Sequence, residues 1–166
     1  MKRRLTLLLL ITLALTADNF SQQSKPIVPD NVKLLHPGNG YLNNIHTRAV
    51  RDFVSKYEKA TDVAWFSVQD GFIVRFVTDS MYSRSAYKKN GIWVYTIKQY
   101  AEERMLKAIR HIVKSTYYDY SITLVEEIET PEEPVKYLVH LQDAVSWKNV
   151  LVSNGQLDLI ESRKKL

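Results

Sequence analysis

The residues able to do chemistry are scattered along this chain, and none stands in a pattern that a reaction or a ligand site requires. The four histidines are His36, His46, His111 and His140, and no two of them have a His-Glu-x-x-His or other metal-ligand spacing. His111 follows Arg110 in a helical stretch and His140 alternates with apolar strand residues, so both read as structural or surface groups. Glu126, Glu127, Glu129, Glu132 and Glu133 crowd around Pro131 and Pro134. Hard cations take several carboxylates but place them strictly, and no Asp-x-Asp-x-Asp-Gly loop is present. A solvated loop that keeps a sheet edge from pairing accounts for the same residues. There is no Gly-x-Ser-x-Gly elbow, and Gly38-Asn39-Gly40 lacks the strand–loop–helix setting of a phosphate loop. Cysteine is absent, which excludes disulfides, thiolate nucleophiles and thiolate metal sites. The expectation is a protein that is not an enzyme, with no catalytic residue, no metal and no cofactor.

What remains is a surplus of aromatic side chains, among them Trp65, Phe66, Phe76, Tyr82, Tyr87, Trp93, Tyr95, Tyr118, Tyr120 and Trp147. Core packing is the plain reading of most of them. Interleaved with arginine and lysine, some also have the composition of a protein interface. Arg75 marks its face of one hairpin as the exposed one. Arg84 and Lys88 do the same for the Trp93–Tyr95 face of the next. Phe66, Arg75, Arg84, Lys88, Trp93 and Tyr95 are therefore the candidate protein-binding face.

Those side chains must be positioned by strands. Val63–Val68 and Phe72–Val77 meet at Asp70-Gly71, and a second hairpin closes at Asn90-Gly91, the dipeptide that best supplies the positive φ of a two-residue turn. Alternation puts Val63, Trp65, Val74 and Phe76 on one face and Ala64, Phe66, Val68, Ile73, Arg75 and Val77 on the other. Across Asn90-Gly91 it puts Trp93, Tyr95 and Ile97 with Arg84, Ala86 and Lys88. A helix over 46–60 precedes these strands, with Val50, Phe53, Val54 and Tyr57 as its apolar stripe. A second helix over 101–116 carries Met105, Ile109, Ile112 and Val113. It leads into strands at 120–125 and 135–141, an acidic loop at Thr130–Pro134, and a last hairpin over Asn154-Gly155. The order repeats with a spacing of about 56 to 64 residues, the longer Thr130–Pro134 connection supplying the difference. The fold expected is α+β, with two tandem helix-on-four-stranded-antiparallel-sheet units at 47–100 and 101–162.

The 166 residues suit one compact domain of two similar halves. Met1-Lys2-Arg3-Arg4 and the apolar run to Ala17 read as an export signal at 1–17, cleaved between 17 and 22. The run is short for a membrane span, so none is expected in the mature chain. A proline- and glycine-punctuated arm follows at 18–46. Loss of the leader leaves 20 basic residues (23 less Lys2, Arg3 and Arg4) against 18 acidic ones. A charge near +2 gives no reason to expect nucleic acid.

The order of these motifs resembles a family of small exported bacterial proteins called PepSY-like or beta-lactamase-inhibitor-like. The resemblance runs through Phe53-Val54-Ser55-Lys56-Tyr57, Ala60–Trp65, Asp70–Phe76, the Ala86–Thr96 hairpin and the closing Tyr137–Leu141 and Asn154-Gly155 segments. It departs at Glu102–Met105, where a Leu-Pro is expected to open the second helix. It implies a periplasmic or secreted protein and transfers no catalytic residue. The expected function is a non-catalytic binding module that engages a protein or peptide of the cell envelope through a sheet face. The alternative is a small-ligand or envelope carrier with a cavity between helix and sheet.

Overall fold

A computed structural model describes residues 33–35 and 44–165 of the chain. The leader, its cleavage window and most of the 18–46 arm lie outside the described residues. The strands are β1 (Lys33–Leu35), β2 (Thr61–Val68), β3 (Gly71–Thr78), β4 (Met81–Lys88), β5 (Trp93–Tyr100), β6 (Ser121–Thr130), β7 (Glu133–Gln142), β8 (Ser146–Ser153) and β9 (Gln156–Lys164). Helix α1 (Thr47–Lys56) precedes β2; a short 3-10 turn (Glu102–Arg104) and helix α2 (Lys107–Thr116) precede β6. All nine strands form one antiparallel sheet in sequence order.

This corrects the expected pair of tandem helix-on-four-strand units. The two runs of strands are not separate sheets, because β5 pairs directly with β6 from Thr96↔Glu129 to Tyr100↔Val125. An open β5 edge would leave a row of backbone donors and acceptors without partners, and β6 takes them. Side chains seal the seam. Lys98 Nζ lies 3.1 Å from Glu127 Oε1 and also pairs with Glu129, while Tyr100 Oη donates to Glu127 Oε2 at 2.9 Å. Burial disfavours the Lys98 charge, but hydrogen bonds to Glu129 and Glu127 outweigh it and raise its pKa above the ordinary lysine value.

Both helices lie on the same face. Ala49 and Phe53 of α1 pack on Trp65, Val74, Phe76 and Tyr87. Val113 of α2 packs with Val125, Val139, Leu141, Val150 and Val152. The polar groups beneath α1 are mutually satisfied: Thr96 Oγ1 receives Tyr57 Oη (3.1 Å) and Trp93 Nε1 (3.1 Å) and shares a proton with Ser85 Oγ (2.7 Å). The opposite face holds a third apolar cluster, Ile97, Ile128 and Leu138, flanked by Tyr95, Leu151 and Ile160. No described helix covers it.

Several turns differ from the sequence expectation, and one difference moves a candidate residue. The first hairpin turns at Gln69-Asp70, with Gly71 already paired to Val68. The Thr130–Pro134 loop is a two-residue turn at Pro131-Glu132, closed by Thr130↔Glu133. The extra length of the second half sits instead in β6 and β7, ten residues each against eight in β2 to β5. At the second hairpin Lys88 N donates to Ile92 O and Gly91 N to Lys88 O, both at 2.8 Å. Ala86 then pairs with Tyr95 but Tyr87 with Trp93, so Val94 is an extra residue in the ladder. A bulge of this kind resets the alternation. Trp93 therefore sits on the helix-bearing face, away from Tyr95, where Lys56 Nζ lies 4.0 Å from the centre of its ring.

Candidate functional site

Of the six candidate residues, the strand registers bring Phe66, Arg75, Arg84, Lys88 and Tyr95 to the helix-free face and take Trp93 away from it. Phe66 is buried and Arg75 exposed, and the Arg75 guanidinium lies 5.0 Å above the Phe66 ring. Arg75 stands directly opposite Arg84. Two like charges in a cross-strand pair are mutually unfavourable, so this part of the face holds positive charge at a cost to the fold.

The same face continues into a polar band that the sequence reading missed. Gln99 Nε2 donates to Glu126 Oε1 at 2.6 Å across the β5–β6 seam. His140 stands opposite Asn149, whose Nδ2 donates to Glu161 Oε2 at 3.0 Å on the last strand. Glu126 is 2% exposed, the most deeply buried charged side chain on the face. Among the described residues, three buried side-chain atoms have no hydrogen-bond partner: Arg84 Nε, Glu126 Oε2 and His140 Nε2. All three belong to the helix-free face. The sequence expectation groups Glu126 with Glu127, Glu129, Glu132 and Glu133 as one acidic cluster. The period of two was the signal that separates them, because Leu124, Glu126 and Ile128 share a face whereas Glu127 and Glu129 turn to Lys98. An acid inside an apolar row is the kind of local inconsistency that marks function.

The arrangement offers hydrogen bonds and charge, and no nucleophile with an adjacent base. Among the described residues, no three His, Asp or Glu side chains come together as a metal site. A shallow depression lined by Lys107, Arg110, His111, Lys114 and Ser115 lies on the outward side of α2, not between helix and sheet. That places His111 apart from His140.

The chain shares its fold with DUF2874 family proteins of Bacteroides. One from Bacteroides ovatus superposes with a TM-score of 0.60 at 19% identity, covering 72% of this chain and 87% of its own. A BLIP-like protein from Bacteroides fragilis gives 0.59 at 19% identity, over 76% and 89%. A Bacteroides eggerthii protein, provisionally described as periplasmic, gives 0.58 at 13% identity, over 72% and 88%. No family model matches the chain, and no curated protein does. The beta-lactamase-inhibitor-like side of the sequence resemblance is thus met by a solved fold, whereas the PepSY side has no counterpart among these matches.

Two measurements probe the band itself. A buried carboxylate with one oxygen unpaired opposes folding, and well-packed apolar replacements of such groups are often neutral or stabilising. The double variant Gln99→Leu/Glu126→Leu is expected to unfold at the same urea concentration as wild type or a higher one, with a gain of up to about 2 kcal/mol. A loss of that size would show that the band is a structural brace. His140 supplies a pH test. Burial lowers its pKa from the ordinary 6.5, only partly opposed by the Glu126 charge, Asn149 and Glu161. The folded state therefore binds fewer protons here than the unfolded chain. This contribution to stability is complete above pH 6.5 and is lost as pH falls toward the depressed value. Urea midpoints measured from pH 7.5 down to 5 should fall more steeply for wild type than for His140→Gln, and parallel curves would rule the burial effect out.

Proposed function

We propose that this protein is an exported, non-catalytic binding module that docks a partner polypeptide on its helix-free sheet face. The observation that carries the reading is the placement on that one face of all three unpartnered buried side-chain polar atoms among the described residues. Polar groups left in this state are costly to a fold and become satisfied when a partner supplies the missing donor or acceptor. Charge and shape agree with a polypeptide. Arg75 and Arg84 lie on β3 and β4, Tyr95 and Ile97 follow on β5, Glu126 lies on β6 opposite Leu138, and Glu161 lies on β9. A segment with an acidic group at one end, a basic group at the other and apolar side chains between would be complementary. The BLIP-like name of a structural neighbour points the same way.

Export rests on the basic Met1–Arg4 run and the apolar stretch after it. No described helix is long and apolar enough to cross a membrane. The carrier reading has less support, because the space between α1 and the sheet is filled with stacked rings. Phe53 lies 5.0 Å from Phe76 and 5.5 Å from Trp65, and Tyr57 lies 4.5 Å from Phe76.

The test is affinity capture from a cell-envelope extract on immobilised protein, run in parallel with Arg75→Glu/Tyr95→Ala and with His111→Ala on the outward side of α2. A partner retained by wild type and by His111→Ala, but lost by the first variant, supports the reading. A partner lost only by His111→Ala, or held equally by all three proteins, overturns it.

A further inference from the structure

We infer that the β7–β8 end of the sheet is a docking tip for the surface of an anionic lipid bilayer. Hairpin loops are ordinarily polar, since their side chains meet water. This loop runs Asp143-Ala144-Val145, with Val145 67% exposed and Trp147 47% exposed just after it. Its shape does not depend on those apolar side chains. Asp143 Oδ1 accepts from Val145 N (2.8 Å), Ser146 N (2.6 Å) and Ser146 Oγ (3.0 Å). The end of β9 braces the other side, with Lys165 N donating to Val145 O at 2.7 Å and Lys165 Nζ donating to Asp143 O. A loop held this firmly presents its apolar groups to solvent with little ordering left to do on binding.

The neighbouring loop adds a second aromatic. Tyr118 is 79% exposed, and its loop is fastened to the tip by a 2.8 Å hydrogen bond between Tyr120 Oη and Ser146 Oγ. Basic residues line the tip, and Lys114 Nζ donates to Tyr118 O at 3.0 Å. Lys165 Nζ lies 5.2 Å from the centre of the Trp147 ring, Arg163 stands opposite Trp147, and Lys164 stands opposite Ser146. Of the nearby acids, Asp143 has one oxygen committed to the loop backbone and Glu161 pairs with Arg163, which leaves the exposed Asp119 beside Tyr118 against Lys164 and Lys165. Trp and Tyr beside Lys and Arg are the composition that settles at a headgroup boundary, the rings entering the interface and the cations meeting anionic phosphates. A projecting tip suits insertion into a fluid interface, whereas a protein partner would need a matching pocket.

Trp147 and Arg163 continue the Asn149–Glu161 row at the far end of the helix-free face, away from Arg75 and Tyr95. The inference is tested on the full protein with vesicles of phosphatidylglycerol and phosphatidylcholine. In low salt the protein should sediment with the mixed vesicles and at least about fivefold less with phosphatidylcholine alone, the effect of roughly one basic residue at an anionic surface. Lys164→Glu should weaken binding by about fivefold or more, and Val145→Asp should weaken it while leaving the urea midpoint unchanged. Brominated lipid should quench wild-type fluorescence, with the quenched component missing in Trp147→Phe. Absence of sedimentation, binding indifferent to both Lys164→Glu and Val145→Asp, or no quenching of Trp147 overturns the proposal. So does vesicle binding abolished by Arg75→Glu, which would place the contact on the sheet face.

Discussion

Gly91→Val is expected to lower the unfolding free energy by roughly 3–5 kcal/mol, the sum of a backbone-strain cost and an overpacking cost. Gly91 has φ +77°, a left-handed conformation that a β-branched residue adopts badly. An added Cβ would also lie 2.7 Å from His46 Nδ1, 2.8 Å from Arg48 Cβ and 2.9 Å from Ala49 N. Those atoms form the start of α1, where His46 Nδ1 accepts from Arg48 N at 3.2 Å and caps the helix. The hairpin tip and the helix N-terminus thus touch through a glycine, and a larger residue must part them. Gly155 is the internal control. Its φ is +76° but nothing lies within 4 Å of an added Cβ, so Gly155→Val should cost only the strain, about 1–2 kcal/mol. Urea unfolding of the two variants separates the terms. Equal losses would mean that the tip does not seat on α1.

Phe53→Ala is expected to cost about 3–5 kcal/mol, as large aromatic truncations in cores do. Phe53 is 4% exposed and touches Tyr57, Trp65 and Phe76 with ring centres 5.0 to 5.5 Å apart. It is the side chain through which α1 holds the sheet. Tyr95→Ala, half-buried on the helix-free face, should cost roughly 1 kcal/mol, and Trp93→Ala about 2, within the ordinary range for single substitutions. Trp93 ranks between them because it loses its hydrogen bond to Thr96 and its contact with Lys56. Should Tyr95→Ala unfold the protein as readily as Phe53→Ala, that ring is core, and the helix-free face loses a principal docking residue.

Local sequence was enough for every element whose signal repeats within a few residues. Trp65, Val74 and Phe76 alternate with Phe66, Ile73 and Arg75, and the pleat places them as their spacing says. Asn154-Gly155 closes a two-residue turn with φ of 52° and 76° because its residues tolerate that conformation. The stripes of α1 and α2 were legible in part for the same reason, a period of 3.6 being written in side chains only one turn apart; Val54 of the expected α1 stripe is nevertheless exposed, and Ala49 is buried with Phe53 instead. The helix bounds were less so. The 101–116 expectation divides into a 3-10 turn and an α-helix from Lys107, since nothing in Glu102–Met105 announces the break.

What the sequence could not state is how distant segments meet. The β5–β6 pairing crosses the α2 connection, and no turn residue encodes a pairing whose partners lie 25 to 33 positions apart. The joining of two runs of strands into one sheet therefore appears only in three dimensions. The bulge at Val94 is equally silent, because Asn90-Gly91 announces a turn and not the register beyond it, and it moves Trp93 from one face to the other. The candidate site follows the same division. Arg75 and Phe66 were readable as neighbours across a hairpin. Gln99, Glu126, His140, Asn149 and Glu161 come from five different strands, and only sheet register turns them into one band, in which Glu126 Oε2 and His140 Nε2 are left unpaired.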